Sequence, residues 1–412
     1  MFRHILLAFC VLVVALSFAP AQEGGIQRGK IAKLDVEARA ITLRVGEKDR
    51  DFRLLDSMQV LGAQGKTLAE KLKDFKVGAN VLFKAAKKDG QDVLVGIKLD
   101  DDARTPGKRI TEDTSKLVPL PELGTGKYQG FEGGLYPGGK NQRPKEHEQA
   151  GMRLTKEVVP RDPEGKPSET GKIVLLSIGM SNTSQASQGF ARNLAKFEDK
   201  NPRLVFVNGA QGGMTASRTQ DPDDGGSGTQ YWSVVDKMLK NAGTTNAQVQ
   251  VVWIKQADAG PREGFPAYAK KLQAEMTKIV QILPKRFPNV KLCYLSGRTY
   301  GGYATTGLNP EPYAYESGFS MKWLIEEQLK GDKALNYDPA RGKVSAPWLS
   351  WGPNLWANGT KKNPDGLYYE ASDFVQDGTH HSPAGMDKLG RHILEFFMGD
   401  MTGKGWFVRD QQ

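Results

Sequence analysis

Polar and apolar residues alternate over much of the first hundred positions. In Ala38-Arg39-Ala40-Ile41-Thr42-Leu43-Arg44-Val45, the side chains of Ile41, Leu43 and Val45 fall on one face, the period of a half-buried strand. GKIAKLDV before it, DRDFRLL after it, and NVLFKA and DVLVGIKL further on predict additional strands between residues 27 and 99. TLAEKLKDF interrupts them with a helical pattern, and Thr67 and Glu70 stand at the spacing of a capping box. Short strands with one helix predict a small all-β, barrel-like domain. From residue 100 to residue 170 no period persists, and Pro, Gly and charged residues dominate PLPELGTGKYQGFEGGLYPGGKNQRPKEHEQAG. Tyr128, Phe131, Leu135 and Tyr136 still give this stretch something to bury, so an ordered but irregular connector is expected.

The pattern changes again at Lys172. KIVLLSI, RLVFV, VQVVWI and VKLCYLS are short continuous apolar runs, as parallel strands covered on both faces require. Between and after them lie QGFARNLAKFEDK, TQYWSVVDKMLKNA, AYAKKLQAEMTKIVQILPKRF, SGFSMKWLIEEQLKG and AGMDKLGRHILEFFMG, all with helical spacing. Strands alternating with helices predict an α/β domain over residues 171–400, a parallel sheet between two helical layers. Ligands of such sheets bind outside the carboxyl ends of the strands.

The ends and the composition narrow the setting. Residues 1–21 read as a signal peptide: Arg3 and His4, an apolar run from Ile5 to Phe18, then Ala19-Pro20-Ala21 as a small-x-small cleavage site. Export with cleavage near Ala21 is expected, to the periplasm or beyond, with no stable membrane insertion afterwards. Of the two cysteines, cleavage would leave only Cys293, so no internal disulfide is expected and packing must hold the fold. The net charge is +10, but Lys and Arg are interleaved with Asp and Glu along the whole chain. No basic stripe with stacking aromatics marks a nucleic-acid partner.

Four segments carry candidate chemistry. Gly179-Met180-Ser181-Asn182 follows the first strand of the α/β region and delivers a hydroxyl at the start of a helix, where free N–H groups favour developing negative charge. Alone it reads first as a helix cap. Gly212 and Gly213 follow the second strand, where paired glycines let a backbone N–H approach a substrate closely. Gln256 follows the third strand and has an amide able to donate to an oxyanion, or to act as a solvated loop residue. Near the end, Asp377-Gly378-Thr379-His380 places a carboxylate where it can fold back on an imidazole and leave the other ring nitrogen free to take a proton. A metal site built from His380, His381 and Asp373 or Asp377 is the weaker alternative, because adjacent histidines diverge. No cofactor is called for.

On these four blocks, residues 170–400 resemble the SGNH (GDSL-like) hydrolases. The G-x-S-N and G-G-x-T wording is most similar to the sialate and xylan acetylesterase branch. The resemblance implies a three-layer, flavodoxin-like α/β/α fold with Ser181 as nucleophile, His380 as acid–base and Asp377 as its orienter. It also implies an oxyanion hole from the N–H groups of Ser181 and Gly213 with the Gln256 amide, since that branch carries Gln in its third block. Met180 departs from the Asp or Gln that precedes the serine in the family. The barrel-like region resembles small modules of many exported bacterial proteins.

An exported serine esterase acting on O-acetyl groups, with acetylated carbohydrate as substrate, is the expected function. Trp348, Trp351 and Trp356 crowd APWLSWGPNLWANG and would stack on sugar rings, or else pack that loop against the core. Asn182 and Gly212 join them as candidate substrate contacts. The competing readings are a non-catalytic carbohydrate- or wall-binding protein on the same fold, and a lipid or thioester hydrolase using the same residues.

Overall fold

The computed structural model describes residues 27–46, 48–61, 67–99 and 114–409, and the signal-like residues 1–21 lie outside them. The chain divides into two units, Met1–Arg104 and Thr105–Gln412. No helix among the described residues is long and apolar enough to cross a membrane.

In the first unit, strands β1 (Gln27–Asp35), β2 (Ala40–Val45), β3 (Lys48–Val60), β4 (Asn80–Lys88) and β5 (Gln91–Leu99) close into a barrel in the order β1-β2-β3-β5-β4. The alternation seen in the sequence fills its interior: Ile31, Ile41, Leu43, Phe52, Leu54, Phe83 and Leu94 are all buried. Helix α1 (Leu68–Leu72), the one helix among the described residues of this unit, begins with the expected capping box between Thr67 and Glu70.

The second unit is built on five parallel strands: β8 (Ile173–Gly179), β9 (Leu204–Asn208), β10 (Val249–Lys255), β11 (Leu292–Ser296) and β12 (Trp348–Trp351). Before them come helix α2 (Leu120–Leu123), the short hairpin β6 (Lys127–Tyr128) and β7 (Phe131–Glu132), and helix α3 (Lys145–Thr155). The sheet order is β12-β11-β10-β8-β9, the flavodoxin-like order in which the chain first moves one way from β8 and then the other. Alternate residues of β8 face opposite layers. Val174, Leu176 and Ile178 pack with helices α6 (Ser227–Asn241), α7 (Ala267–Arg286) and α8 (Tyr313–Leu329). Ile173 and Leu175 pack with helices α4 (Ser181–Lys196), α9 (Pro383–Gly399) and α10 (Lys404–Phe407). The four-residue helix α5 (Ala216–Thr219) closes the loop after β9.

Two features escape the sequence pattern. β12 is one: its four residues are too few to show a period, and Pro347 and Gly352 bracket them. The other is the segment read as an irregular connector, which holds α3 and covers the β12 edge. His147 Nε2 meets the Leu349 carbonyl at 2.7 Å, the Trp348 indole donates to the His147 carbonyl at 3.0 Å, and Tyr136 and Ser350 share a hydroxyl hydrogen bond of 3.0 Å. Covering an edge strand removes a ready template for unwanted pairing.

Helices α4 and α9 cross at two glycines, and this crossing aims the site. A Cβ built on Gly189 would lie 1.7 Å from the Met386 carbonyl oxygen, and one on Gly390 would lie 2.1 Å from the Gly189 carbonyl carbon. Both obstacles are backbone atoms, so no rotamer change relieves them. Gly189→Ala is therefore expected to part the helices and cost about 3 kcal/mol. All seven tryptophans lie at or after Trp232, so tryptophan fluorescence in a urea titration reports the second unit alone. A midpoint unchanged by Gly189→Ala would contradict the close crossing.

Candidate active site

All five carboxyl ends lie on one edge of the parallel sheet, and the strand order reverses between β8 and β10, the point at which ligands of such sheets bind. Gly179 ends β8 there. A side chain at this position would meet the Lys255 carbonyl oxygen at 2.3 Å and the Thr183 hydroxyl at 2.4 Å. Met180 turns its side chain into the core, 7% exposed, and serves as the N-cap with extended backbone and no side-chain capping bond. Ser181 is thus the first residue of α4, and its hydroxyl caps nothing. Intrahelical bonding begins with Ser184 N–H to the Met180 carbonyl, so the N–H groups of Ser181 to Thr183 precede it and give this end a positive potential.

The Ser181 hydroxyl donates instead to His380 Nε2 at 2.8 Å. His380 Nδ1–H donates to Asp377 Oδ2 at 2.6 Å, while Asp377 Oδ1 accepts the backbone N–H groups of Thr379 and His380, each at 2.9 Å. A carboxylate on Nδ1 fixes the tautomer that leaves Nε2 unprotonated toward the serine. Burial works to raise the Asp377 pKa, but the imidazole and the two amides together outweigh it and hold the carboxyl down at about 2. Such a depressed pKa contributes stability above the ordinary value of 3.8, lost as pH falls toward about 2. Across the usual working range Asp377 stays charged. The ring of His381 diverges from that of His380 and points into the interior, 1% exposed.

The loop after β9 passes directly over Ser181. A Cβ on Gly212 would sit 3.9 Å from Ser181 Cβ. Gly213 has φ +73, which favours glycine, and its carbonyl accepts from the Arg218 guanidinium at 3.0 Å. Among the described residues neither the Gly212 nor the Gly213 N–H donates to a protein acceptor. Hydrogen bonds tie this loop to the segment after β10. Gln256 Nε2 donates to the Met214 carbonyl at 3.0 Å, Ala216 N–H to the Ala257 carbonyl at 3.1 Å, and Ser217 N–H to Asp258 Oδ1 at 3.0 Å.

Several sequence-based assignments change here. Gln256 is buried, and both hydrogens of its amide have acceptors, the Met214 carbonyl and the Thr219 hydroxyl at 3.3 Å. It supports the glycine loop and has no hydrogen left for an oxyanion. Trp348, Trp351 and Trp356 are 0%, 4% and 6% exposed, with their indole N–H groups on the His147 carbonyl, the Leu135 carbonyl and Glu311 Oε1. They are packing residues, because an aromatic face enclosed on both sides cannot stack on a sugar. Asn182 is 1% exposed and likewise makes no substrate contact. Two neighbours of the site were missed. Gln185, one turn from Ser181, accepts His381 N–H at 3.0 Å. Lys255, a lysine closing an otherwise apolar strand, is 1% exposed and donates to Asn182 Oδ1. A cation at the ligand-facing end of a buried run was the signal for it.

No family model and no curated protein matches this chain. Among solved structures, the lipase Lip_vut3 from a goat rumen metagenome is similar at 12% identity over 56% of this chain and 100% of its own, with a TM-score of 0.34. The Bacillus subtilis protein YXIM is similar at 14% identity over 55% of this chain and 56% of its own, with a TM-score of 0.30. Apo-CusF of Escherichia coli covers 21% of this chain and 95% of its own at 18% identity, with a TM-score of 0.16.

Proposed function

We propose that this chain is a serine esterase of the SGNH-hydrolase type, cleaving short acyl esters through an acyl-enzyme. One observation carries the reading: the hydrogen-bonded line from the Ser181 hydroxyl through His380 to Asp377, set at the edge of the sheet where ligands bind. His380 Nε2 takes the hydroxyl proton as Ser181 Oγ attacks the acyl carbon, and the charged imidazolium is stabilised by Asp377. The proton then passes to the departing alcohol. The N–H groups of Ser181 and Gly213 receive the oxyanion, each such donor being worth about 3 kcal/mol of barrier. Water repeats the sequence and frees the acid.

An O-acetyl substrate is supported by the wording of the serine and glycine blocks. A carbohydrate alcohol rests on that wording and on the signal-like start, since the tryptophans are enclosed. Export follows from the same start.

The test combines labelling with an ester series. A fluorophosphonate probe should modify Ser181 alone, located by peptide mass mapping. Hydrolysis of p-nitrophenyl esters should decline from acetate to octanoate, and acetylated xylan should release acetate. Preference for the octanoate would transfer the proposal to lipid esters. Absence of both labelling and turnover in folded protein would leave the esterase reading without support.

A further inference from the structure

Asn182 follows the nucleophile directly, yet its carboxamide is turned wholly inward. Nδ2 donates to the Thr379 carbonyl at 2.7 Å and to His381 Nε2 at 3.0 Å. Those two acceptors stand on either side of His380 in the chain. Oδ1 accepts Lys255 Nζ and lies 3.5 Å from the Thr299 hydroxyl. The orientation of the amide is unambiguous, because only its NH₂ end can face a carbonyl. One turn along the same helical face, Gln185 accepts His381 N–H, so two side chains of the nucleophile helix grip the acid–base loop.

The surroundings suit uncharged partners. Lys255 has no carboxylate within ion-pair reach among the described residues, and Arg298, 4% exposed, lies near it. Burial pushes the Lys255 amine well below its ordinary pKa, and the Arg298 charge pushes the same way. His381 is driven down by burial first, then by Lys255, Arg298 and His380, and the Asn182 NH₂ group faces its Nε2, which accepts.

We propose that Asn182, oriented by Lys255, is a positioning residue: a buried latch that holds both flanks of His380 and so sets its imidazole against the Ser181 hydroxyl. This rests on the esterase reading and goes one step deeper, because Asn182 touches neither substrate nor reacting atoms.

Asn182→Asp separates positioning from packing. The carboxylate keeps the volume and can still accept from Lys255 Nζ, but it faces the Thr379 carbonyl with oxygen instead of N–H. Turnover is expected to fall about 100-fold with KM changed less than about 3-fold, the loss that a small misplacement of a catalytic group produces. The tryptophan-fluorescence melt should stay within a few degrees of the parent. Lys255→Met, which removes the donor that anchors Asn182 Oδ1, should lower kcat about 10-fold and serves if the aspartate variant does not fold. The independent readout is the downfield proton resonance of His380 Nδ1–H, which should broaden or move upfield in both variants. Folded variants with parental kcat, or reduced kcat with an unmoved resonance, would overturn the latch. If the parent hydrolyses no ester, the esterase reading fails by itself, and the resonance alone decides the latch.

Discussion

Ser181→Ala should lower ester turnover by at least about 10⁴-fold while leaving the melting temperature within about 1 °C of the parent. The magnitude follows from the way nucleophile and base act as a unit, so that removing either forfeits most of what they do together. What remains is transition-state binding by the N–H groups around the site, which still exceeds water. The unchanged stability follows from local geometry. Met180, not Ser181, is the N-cap, and it makes no side-chain capping bond. The Ser181 hydroxyl reaches His380 and satisfies no orphan N–H of the helix. A capping serine would instead cost about 1 kcal/mol when truncated to alanine. Measuring kcat/KM and the melt together therefore separates the two roles. A large drop in melting temperature would return Ser181 to a structural part.

Asp377→Asn is expected to reduce kcat by about 10⁴-fold, again in a folded protein. The substitution keeps the shape and the oxygen that accepts the amides of Thr379 and His380. It replaces the other oxygen with an NH₂ group facing His380 Nδ1. The imidazole must then accept on Nδ1 and carry its proton on Nε2, pointing at a serine whose proton it can no longer take. Because Asp377 is held down at about 2, its protonation does not account for any loss of activity between neutral pH and pH 4. The check is a pH–rate profile of parent and variant. An Asn variant with parental kcat would show that the carboxylate does not set the tautomer.

The strands other than β12 and the blocks around Ser181 and His380 were legible for one reason: each depends on residues close in sequence. Ile41, Leu43 and Val45 show their face by alternation, and Asp377 to His380 is a single turn that closes on itself. What the sequence concealed depends on distant partners. Whether Gln256 donates to a substrate or to Met214 is decided by a loop 42 positions away. Trp348 could not be read as enclosed without knowing that His147, 201 positions earlier, covers it. Asn182 looked like a substrate contact because it stands beside Ser181. Yet adjacent residues on a helix point about 100° apart, and that rotation sends Asn182 to the interior.

The glycine crossing of α4 and α9 has a consequence for how such a site can be altered. Ser181 begins α4 and His380 lies three residues before α9, so their separation depends on how closely the two helices approach at Gly189 and Gly390. A single added methyl there acts on the reacting atoms through rigid rods. Mutational searches confined to the residues around Ser181 and His380 would leave this control untouched. Conversely, variation that never meets a substrate can silence the protein.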